Sequence, residues 1–490
     1  MKRVFFCSLG KISVVLTLSL FLACGTGDKV TGPSQSNPLS AIKQKVINAA
    51  KAIQLQVQAF RGKNYKRQVF ISVFTQSQYA TIVGNQTDSI PESQKVLYDQ
   101  ILRIEGLLRP NADYFASYDS TMSTETEGFY VPGTDSLYII LNDTATGLTF
   151  DDSVTIFHEF VHALQDQYFN LKEISYNTQP SDVFFARRYV IEGEAELLEN
   201  YYAYKLSLGV YPSSPTPIMN QLNQDQIWAD ALLDSMHQAG EPLLANMPFL
   251  WEYYSYGPKF INAIAGMNWS IIDNTIFSAL PLRMLEILHP SEYSPNNEYF
   301  LNTESLDSTI SIELSDSIEE EDQQGELLTD VIFREWNFDA YATISDGIMV
   351  DDVIVFKDLQ TDSLRMIWYT YWQDSSAGST FFTNYANLVN KKRNILLPAA
   401  VDSPTYVFIN DTMDNIYIEQ AGNYVFTLEN CAKSELNGFI GQCRLLKPQL
   451  YGALAKARVP ANKRYPHVNK HRFWDGKFNP PIRAKGFAGR

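Results

Sequence analysis

Residues His158, Glu159 and His162 form an H-E-x-x-H pattern inside a stretch whose apolar residues recur at helical spacing. Two histidines four residues apart lie on one face of a helix, where both imidazoles can bind one Zn²⁺. Glu159 lies beside them, and its carboxylate can take a proton from a water at the metal. The alternative is a buried helix with two hydrogen-bonded core histidines. Because the chain has only 6 histidines, two at this spacing around a glutamate would rarely arise by chance, and the motif favours a metal-binding helix. A buried helix of this kind would hold the ion rigidly.

The third metal ligand is expected from a second helix. The longer pattern H-E-x-x-H-x-x-G-x-x-H needs a glycine and a third histidine where this chain has Gln165 and Tyr168. The next carboxylate-rich helix is predicted from residue 182 to about residue 206, and it carries Glu192 and Glu196 on one face. We predict Glu192 as the third ligand and Glu196 as the acceptor for the free ring N–H of a bound histidine. Glu194 is the second choice of ligand, and a solvated acidic helix face is the alternative.

Both motifs resemble those of the gluzincin group of zinc metallopeptidases. Residues 158–171 read H-E-F-V-H-A-L-Q-D-Q-Y-F-N-L and resemble a set of bacterial secreted metallopeptidases. Residues 192–196 read E-G-E-A-E and resemble the E-G-x-A-E signature of the peptidase-MA-like branch, in which Gly193 and Ala195 would allow close helix packing. The resemblance extends from about residue 39 to residue 428 and is loose outside the motifs. It implies an α+β fold with a gluzincin-like zinc metallopeptidase domain that hydrolyses peptide bonds, but it implies no particular substrate.

Two further segments fit the same resemblance. Residues 128–132 and 137–141 predict a hairpin or strand before the metal helix, where gluzincins have an edge strand that pairs with extended substrate. An ordinary core strand is the alternative, because periodicity does not separate the two. Downstream, Tyr254 matches the tyrosine of the Y-x-x-G of gluzincin aminopeptidases, which donates to the oxyanion. Tyr256 is the second candidate, and a packing tyrosine is the alternative. The absence of a G-x-M-E-N motif disfavours an aminopeptidase.

The N-terminus predicts export and a lipid anchor. Residues 1–23 have a basic start followed by an apolar segment that is too short to span a membrane, which is typical of a signal peptide. The sequence before Cys24 resembles a bacterial lipobox, although Phe21 replaces the usual leucine. Lipidated Cys24 would hold the protein in the cell envelope, at the outer membrane or cell surface, with residues 24–38 as a tether. The alternative is cleavage after Ala23 and a secreted enzyme.

The remaining chain predicts two portions and a tail. We assign residues 39–305 to the metallopeptidase domain and residues 306–450 to a C-terminal α+β portion, in which β-rich runs favour five strands. The acidic run at residues 313–322 is interpreted as a solvated loop. Cys431 and Cys443 could form a disulfide or remain buried thiols. The basic tail, residues 451–490, could contact acidic envelope polymers, fold back onto the acidic body, or be solvated.

These patterns together predict an envelope-anchored zinc metallopeptidase that acts on a peptide or protein substrate. The net charge of −16 argues against nucleic acid as a partner, and the sequence leaves the oligomeric state open. A zinc hydrolase of another bond class, such as a cell-wall amidase, is the second hypothesis. A non-catalytic binding lipoprotein on a peptidase scaffold is the third, and the presence of Glu159 counts against it.

Overall fold

Helices dominate the described residues between positions 38 and 290. The computed structural model describes residues 38–87, 90–175, 180–295, 299–302, 316–358, 361–394, 405–408, 415–446 and 449–452. The helices are α1 (Pro38–Arg61), α2 (Gln76–Thr87), α3 (Glu92–Glu105), α4 (Tyr114–Glu125), α5 (Phe150–Phe169), α6 (Leu171–Ser175), α7 (Ser181–Leu208), α8 (Thr216–Gln238), α9 (Met247–Tyr254), α10 (Tyr256–Ala265), α11 (Trp269–Ile271) and α12 (Met284–Leu288). The helix predicted from residue 182 to about residue 206 is confirmed as α7.

A three-stranded sheet lies among these helices. Its strands are β1 (Phe70–Thr75), β2 (Gly128–Val131) and β3 (Ser136–Leu141). The order is β1-β3-β2, with β1 parallel to β3 and β2 antiparallel to it. The predicted hairpin is therefore present, and β2 lies at an edge of this sheet.

The C-terminal portion is built on a six-stranded antiparallel sheet. The strands, in the order β5-β6-β7-β10-β9-β8, are β5 (Asp316–Asp322), β6 (Ile348–Asp358), β7 (Leu364–Trp372), β8 (Thr405–Phe408), β9 (Asn415–Ala421) and β10 (Tyr424–Cys431). The associated helices are α13 (Gly325–Glu335), α14 (Tyr341–Ser345), α15 (Ser375–Arg393) and α16 (Lys433–Cys443). A separate pair joins β4 (Tyr299–Asn302) to β11 (Gln449–Gly452). All five strands predicted here are confirmed, and the fold is α+β.

The interpretation of the acidic run as a solvated loop is wrong for residues 316–322. These residues form β5, which pairs with β6 along its length, and Glu320 and Glu321 are buried. Main-chain pairing does not depend on side-chain polarity, so an acidic segment can complete a sheet edge. Asp322 also accepts a hydrogen bond from the backbone N–H of Ser181 at 2.7 Å, at the first residue of α7. Residues 313–315 lie outside the described residues.

The largest hydrophobic core crosses the boundary predicted between the two portions. It contains Tyr189 of α7, Val331 of α13 and Trp368 of β7, all nearly or fully buried. A second core lies between α1, the three-stranded sheet and α5. A third packs α16 on the other face of the six-stranded sheet and includes Cys431 and Cys443. The helical portion and the portion built on the six-stranded sheet thus share this core.

Cys431 and Cys443 are both buried free thiols in this structure, so the second of the two alternatives for this pair is the one observed. Burial raises the pKa of both thiols, that of Cys443 to about 12. Among the residues that the structure describes, no helix is long and apolar enough to cross a membrane. The predicted signal peptide, Cys24, most of the tether and almost all of the basic tail lie outside the described residues.

A candidate metal centre between two buried helices

Helix α5 is fixed at both ends by its own sequence. Thr149 and Asp152 form a capping box: Thr149 Oγ1 accepts from the Asp152 N–H at 3.0 Å, and Asp152 Oδ2 accepts from the Thr149 N–H at 2.7 Å. Asp151 and Asp152 place negative charge at the positive end of the helix dipole. The helix ends at Asn170, whose φ of 56° is left-handed. Residues 154–167 between these ends are all buried.

Helix α7 approaches its neighbour α10 through a glycine pair. A Cβ atom built on Gly193 would lie 2.4 Å from the backbone C and O atoms of Gly257 in α10. Only a glycine fits at this distance, because a backbone neighbour cannot rotate away. Close packing at Gly193, predicted from the E-G-E-A-E segment, is confirmed. This contact fixes α7 at the residue next to Glu192.

The three predicted ligand atoms lie together between α5 and α7. His158 Nε2 and His162 Nε2 are 2.8 Å apart, and Glu192 Oε2 lies 3.2 Å from the first and 3.0 Å from the second. All three side chains are almost completely buried. Ligand atoms about 2.0–2.2 Å from a tetrahedral Zn²⁺ are themselves about 3.3 Å apart. Small outward movements of these side chains would therefore admit the ion.

The other nitrogen of each imidazole has an acceptor. His158 Nδ1 lies 2.8 Å from Glu199 Oε2, and His162 Nδ1 lies 2.9 Å from Gln165 Oε1. Because both partners are acceptor oxygens, each Nδ1 is the donor in these contacts, and a metal ion would be bound through the two Nε2 atoms. The predicted partner Glu196 is 3.7 Å from His158 Nδ1, so the nearer acceptor is Glu199. Two turns separate Glu199 from the predicted ligand on α7, a spacing that could have indicated it.

A second line of contacts runs behind His162. Gln165 Nε2 donates to Glu194 Oε2 at 2.8 Å, and Glu194 Oε1 pairs with Arg61 Nε at 2.6 Å. Arg61 Nη2 also forms a salt bridge with Asp273 Oδ1 at 2.6 Å. Glu194, the second choice of ligand, therefore supports the amide that orients His162 and is not at the point where the ligand atoms meet. No sequence signal indicated Arg61, because it reaches the site from α1, far away in the chain.

The electrostatic potential at the ligand atoms favours positive charge. Burial lowers the pKa of His162, but the Glu192 carboxylate outweighs it and raises that pKa to about 9. Burial raises the pKa of Glu192, but His162, His158 and Arg188 together bring it well below its usual value. Arg188 Nη2 lies 3.6 Å from Glu192 Oε1. The negative potential that holds a proton at His162 also attracts a metal ion.

Glu159, the predicted general base, lies on α5, and its side chain is close to the edge strand β2. Its side chain is fully buried. A Cβ atom built on Gly128, the first residue of β2, would lie 3.6 Å from Glu159 Cγ and 3.1 Å from the Tyr138 carbonyl oxygen. The edge strand thus runs directly against α5 at Glu159. All four residues of β2 are buried, and pairing of β2 with a substrate stays a prediction.

The structure describes the backbone of the predicted oxyanion donor but not its side chain. Tyr254 is the last residue of α9, but its side chain lies outside the described residues, so its role stays a prediction. The ring of Tyr256 packs against Trp251 with centroids 5.1 Å apart. Burial and nearby carboxylates, including Asp330, raise the pKa of Tyr256. The packing alternative therefore describes Tyr256.

We compared the chain with models of known protein families, with curated proteins and with solved structures, and it matches none of them. What is known of the site comes from its own residues.

Proposed function

We propose that this protein is a zinc-dependent hydrolase of peptide bonds, with His158, His162 and Glu192 as the ligands of Zn²⁺. One observation carries the proposal: two Nε2 atoms and one carboxylate oxygen lie within 3.2 Å of one another while both Nδ1 atoms are held by acceptors. Two imidazoles and one carboxylate are a common ligand set of catalytic zinc, which leaves a fourth position open.

The chain supplies the remaining groups for hydrolysis. Bound Zn²⁺ would lower the pKa of a water at the open position and polarise the scissile carbonyl. Glu159, next to His158 on the same helix, accepts a proton from the attacking water and delivers it to the leaving amine. Tyr254 is the proposed donor to the oxyanion.

An extended peptide is the substrate class that the surroundings favour. Strand β2 ends a sheet and touches α5 at Glu159, so its outer edge is close to the proposed general base. A peptide added to β2 as a further strand would cross the metal with its main chain straight.

Replacement of the base separates binding from catalysis. The Glu159→Gln variant should keep its zinc, and its peptidase rate should fall by about 10²–10⁴-fold, because the amide cannot take the proton. The measurement is digestion of a peptide library, with metal content determined on the same samples. Glu173→Gln, at an exposed position of α6, is the matched control and should keep full activity.

Three results would change the proposal. Wild-type rates in Glu159→Gln would assign the base to another residue. Cleavage of cell-wall amide substrates without peptide cleavage would support the other bond class. Zinc binding with no hydrolysis of either would leave a binding protein.

We also propose that lipidated Cys24 anchors the enzyme in the cell envelope. Several acyl chains would hold it firmly, since one chain alone binds a membrane only marginally. Cys24→Ser should abolish lipid labelling and move the protein from the membrane fraction to the soluble envelope fraction. A wild-type protein that is soluble and has an unmodified N-terminus would disprove the anchor and leave the peptidase proposal intact.

A further inference from the structure

A second group of potential ligands lies at the junction of the helical and sheet portions. His289 follows α12, Glu326 lies in the first turn of α13, and Asp346 follows α14. His289 Nε2 is 2.8 Å from Glu326 Oε1 and 3.8 Å from Asp346 Oδ1. One ligand atom from each residue lies within 4.8 Å of the others. These spacings bracket the separation of about 3.3 Å between ligand atoms around a tetrahedral zinc ion.

Glu326 is the residue that points to a ligand. Its side chain is only 4% exposed, and its Oε2 atom is buried without a hydrogen-bond partner among the described residues. An unsatisfied buried carboxylate oxygen costs free energy unless a cation or a proton meets it. The other oxygen of the same carboxylate already faces His289, so the unsatisfied atom belongs to the cluster.

Two further buried carboxyl groups lie close to this carboxylate. Asp330, one turn further along α13, is buried, and burial raises its pKa well above the usual value, with Glu326 adding to the shift. Asp182 at the start of α7 is buried and feels the same carboxylate. Arg283 and Arg334 act on these aspartates from a distance, and His289 is the basic side chain in contact with Glu326. A cation at the cluster would favour the ionised form of these carboxyl groups.

We propose that His289, Glu326 and Asp346 form a second divalent transition-metal site, for which Zn²⁺ is the probe. An imidazole nitrogen together with two carboxylates suits Zn²⁺ better than Ca²⁺ or Mg²⁺, which prefer all-oxygen sites. His289 is 38% exposed and Asp346 57% exposed, whereas Glu326 lies at the bottom. An ion can enter from solvent, and a water can complete its coordination.

This site would act as a clamp separate from the catalytic centre. Its ligands come from the ends of α12 and α14 and from the start of α13, and Asp346 lies two residues before β6. A Cβ atom on Gly325, next to Glu326, would touch Asp182 of α7. Asp182 precedes Glu192 by ten residues, which corresponds to about 15 Å along α7, so the two sites are separate. A bound ion would fix the helical portion to the six-stranded sheet.

Zinc stoichiometry of the full chain tests the site independently of the first. After chelation and return of Zn²⁺, we expect two equivalents in the wild type and one in His162→Ala. In the His162→Ala background, Glu326→Gln or His289→Gln should remove the remaining equivalent or weaken it more than about tenfold. Glu173→Gln, at an exposed position of α6, is the control and should retain it.

Each outcome decides between the sites. A residual equivalent in His162→Ala that Glu326→Gln and His289→Gln leave unchanged would overturn the second site. Loss of all zinc in His162→Ala alone would overturn it too, and the first site would stand. One equivalent in the wild type, lost in Glu326→Gln and kept in His162→Ala, would support the second site and remove the first. If Glu326→Gln does not fold, the exposed Asp346→Asn gives the same test with about tenfold weaker binding expected.

Discussion

Each imidazole of the proposed centre is set by one acceptor behind it. Glu199 holds Nδ1 of His158 at 2.8 Å, whereas Glu196 is 3.7 Å from the same atom. A carboxylate acceptor fixes the ring and makes Nε2 a better donor to a metal. The two glutamates differ by about one turn of α7, and both are nearly buried, so they form a matched pair for mutation.

We predict that Glu199→Gln weakens zinc binding by about tenfold or more, because a neutral amide orients and polarises the His158 ring less well. Glu196→Gln should change affinity by a smaller factor, since its carboxylate is beyond hydrogen-bond distance from Nδ1. Competition with a chromophoric chelator measures both affinities. Equal losses in the two variants would contradict the assignment.

Local spacing predicted some residues of the site and not others. His158 and His162 follow from the i, i+4 geometry of one helix, and Glu192 from the next carboxylate-rich helix. Arg61 supports the site only after α1 has packed against α5, and no local pattern contains that contact. Residues that act through a neighbour depend on tertiary packing and stay hidden in a single sequence.

At the scale of elements, the junction of α7 and α10 positions Glu192, the proposed third ligand. The Gly193 position has backbone atoms of Gly257 where a methyl group would be. Alternating or helical apolar patterns predicted α5, the β2–β3 hairpin and five strands of the six-stranded sheet, since burial of one face decides them. These patterns did not predict β5, because its side chains are mostly acidic. Main-chain pairing with β6 and the hydrogen bond from Ser181 of α7 to Asp322 stabilise this strand.

We predict that Gly193→Ala destabilises the protein by about 3 kcal/mol or more, because α7 and α10 must separate. Zinc affinity should fall with it, since Glu192 moves with α7. Gly438 in α16 is the control: nothing lies within 4 Å of a Cβ built there, so Gly438→Ala should stabilise by up to about 1 kcal/mol. Urea unfolding measures both. An unchanged stability in Gly193→Ala would mean that the helices can separate without cost.

At the scale of the molecule, one buried charge cluster joins the helical portion to the sheet. Glu429 of β10 is fully buried and pairs with Lys392 Nζ at 2.7 Å and Arg393 Nη2 at 3.1 Å. Tyr385 donates to it at 2.9 Å. Lys392 also donates to the Ile104 carbonyl oxygen of α3 at 2.6 Å. The cluster is thus shared by α3, α15 and β10, and its loss should be felt by the whole fold.

Stability as a function of pH tests this junction. Burial raises the pKa of Glu429, but Lys392 and Arg393 outweigh it and lower that pKa below the usual value. A lowered pKa contributes stability above the unfolded value of about 4.3, and the contribution is lost as pH falls below it. Glu429→Gln should therefore cost about 3–5 kcal/mol near neutral pH, because two cations lose their partner. The difference from wild type should narrow below about pH 4, because the unfolded wild-type chain then takes up a proton that the native Glu429 carboxylate binds only at lower pH. Urea unfolding from pH 7 to pH 3.5 measures it, with Glu173→Gln as the exposed control, and a gap that stays constant across that range would show that the charge of Glu429 does not stabilise the junction.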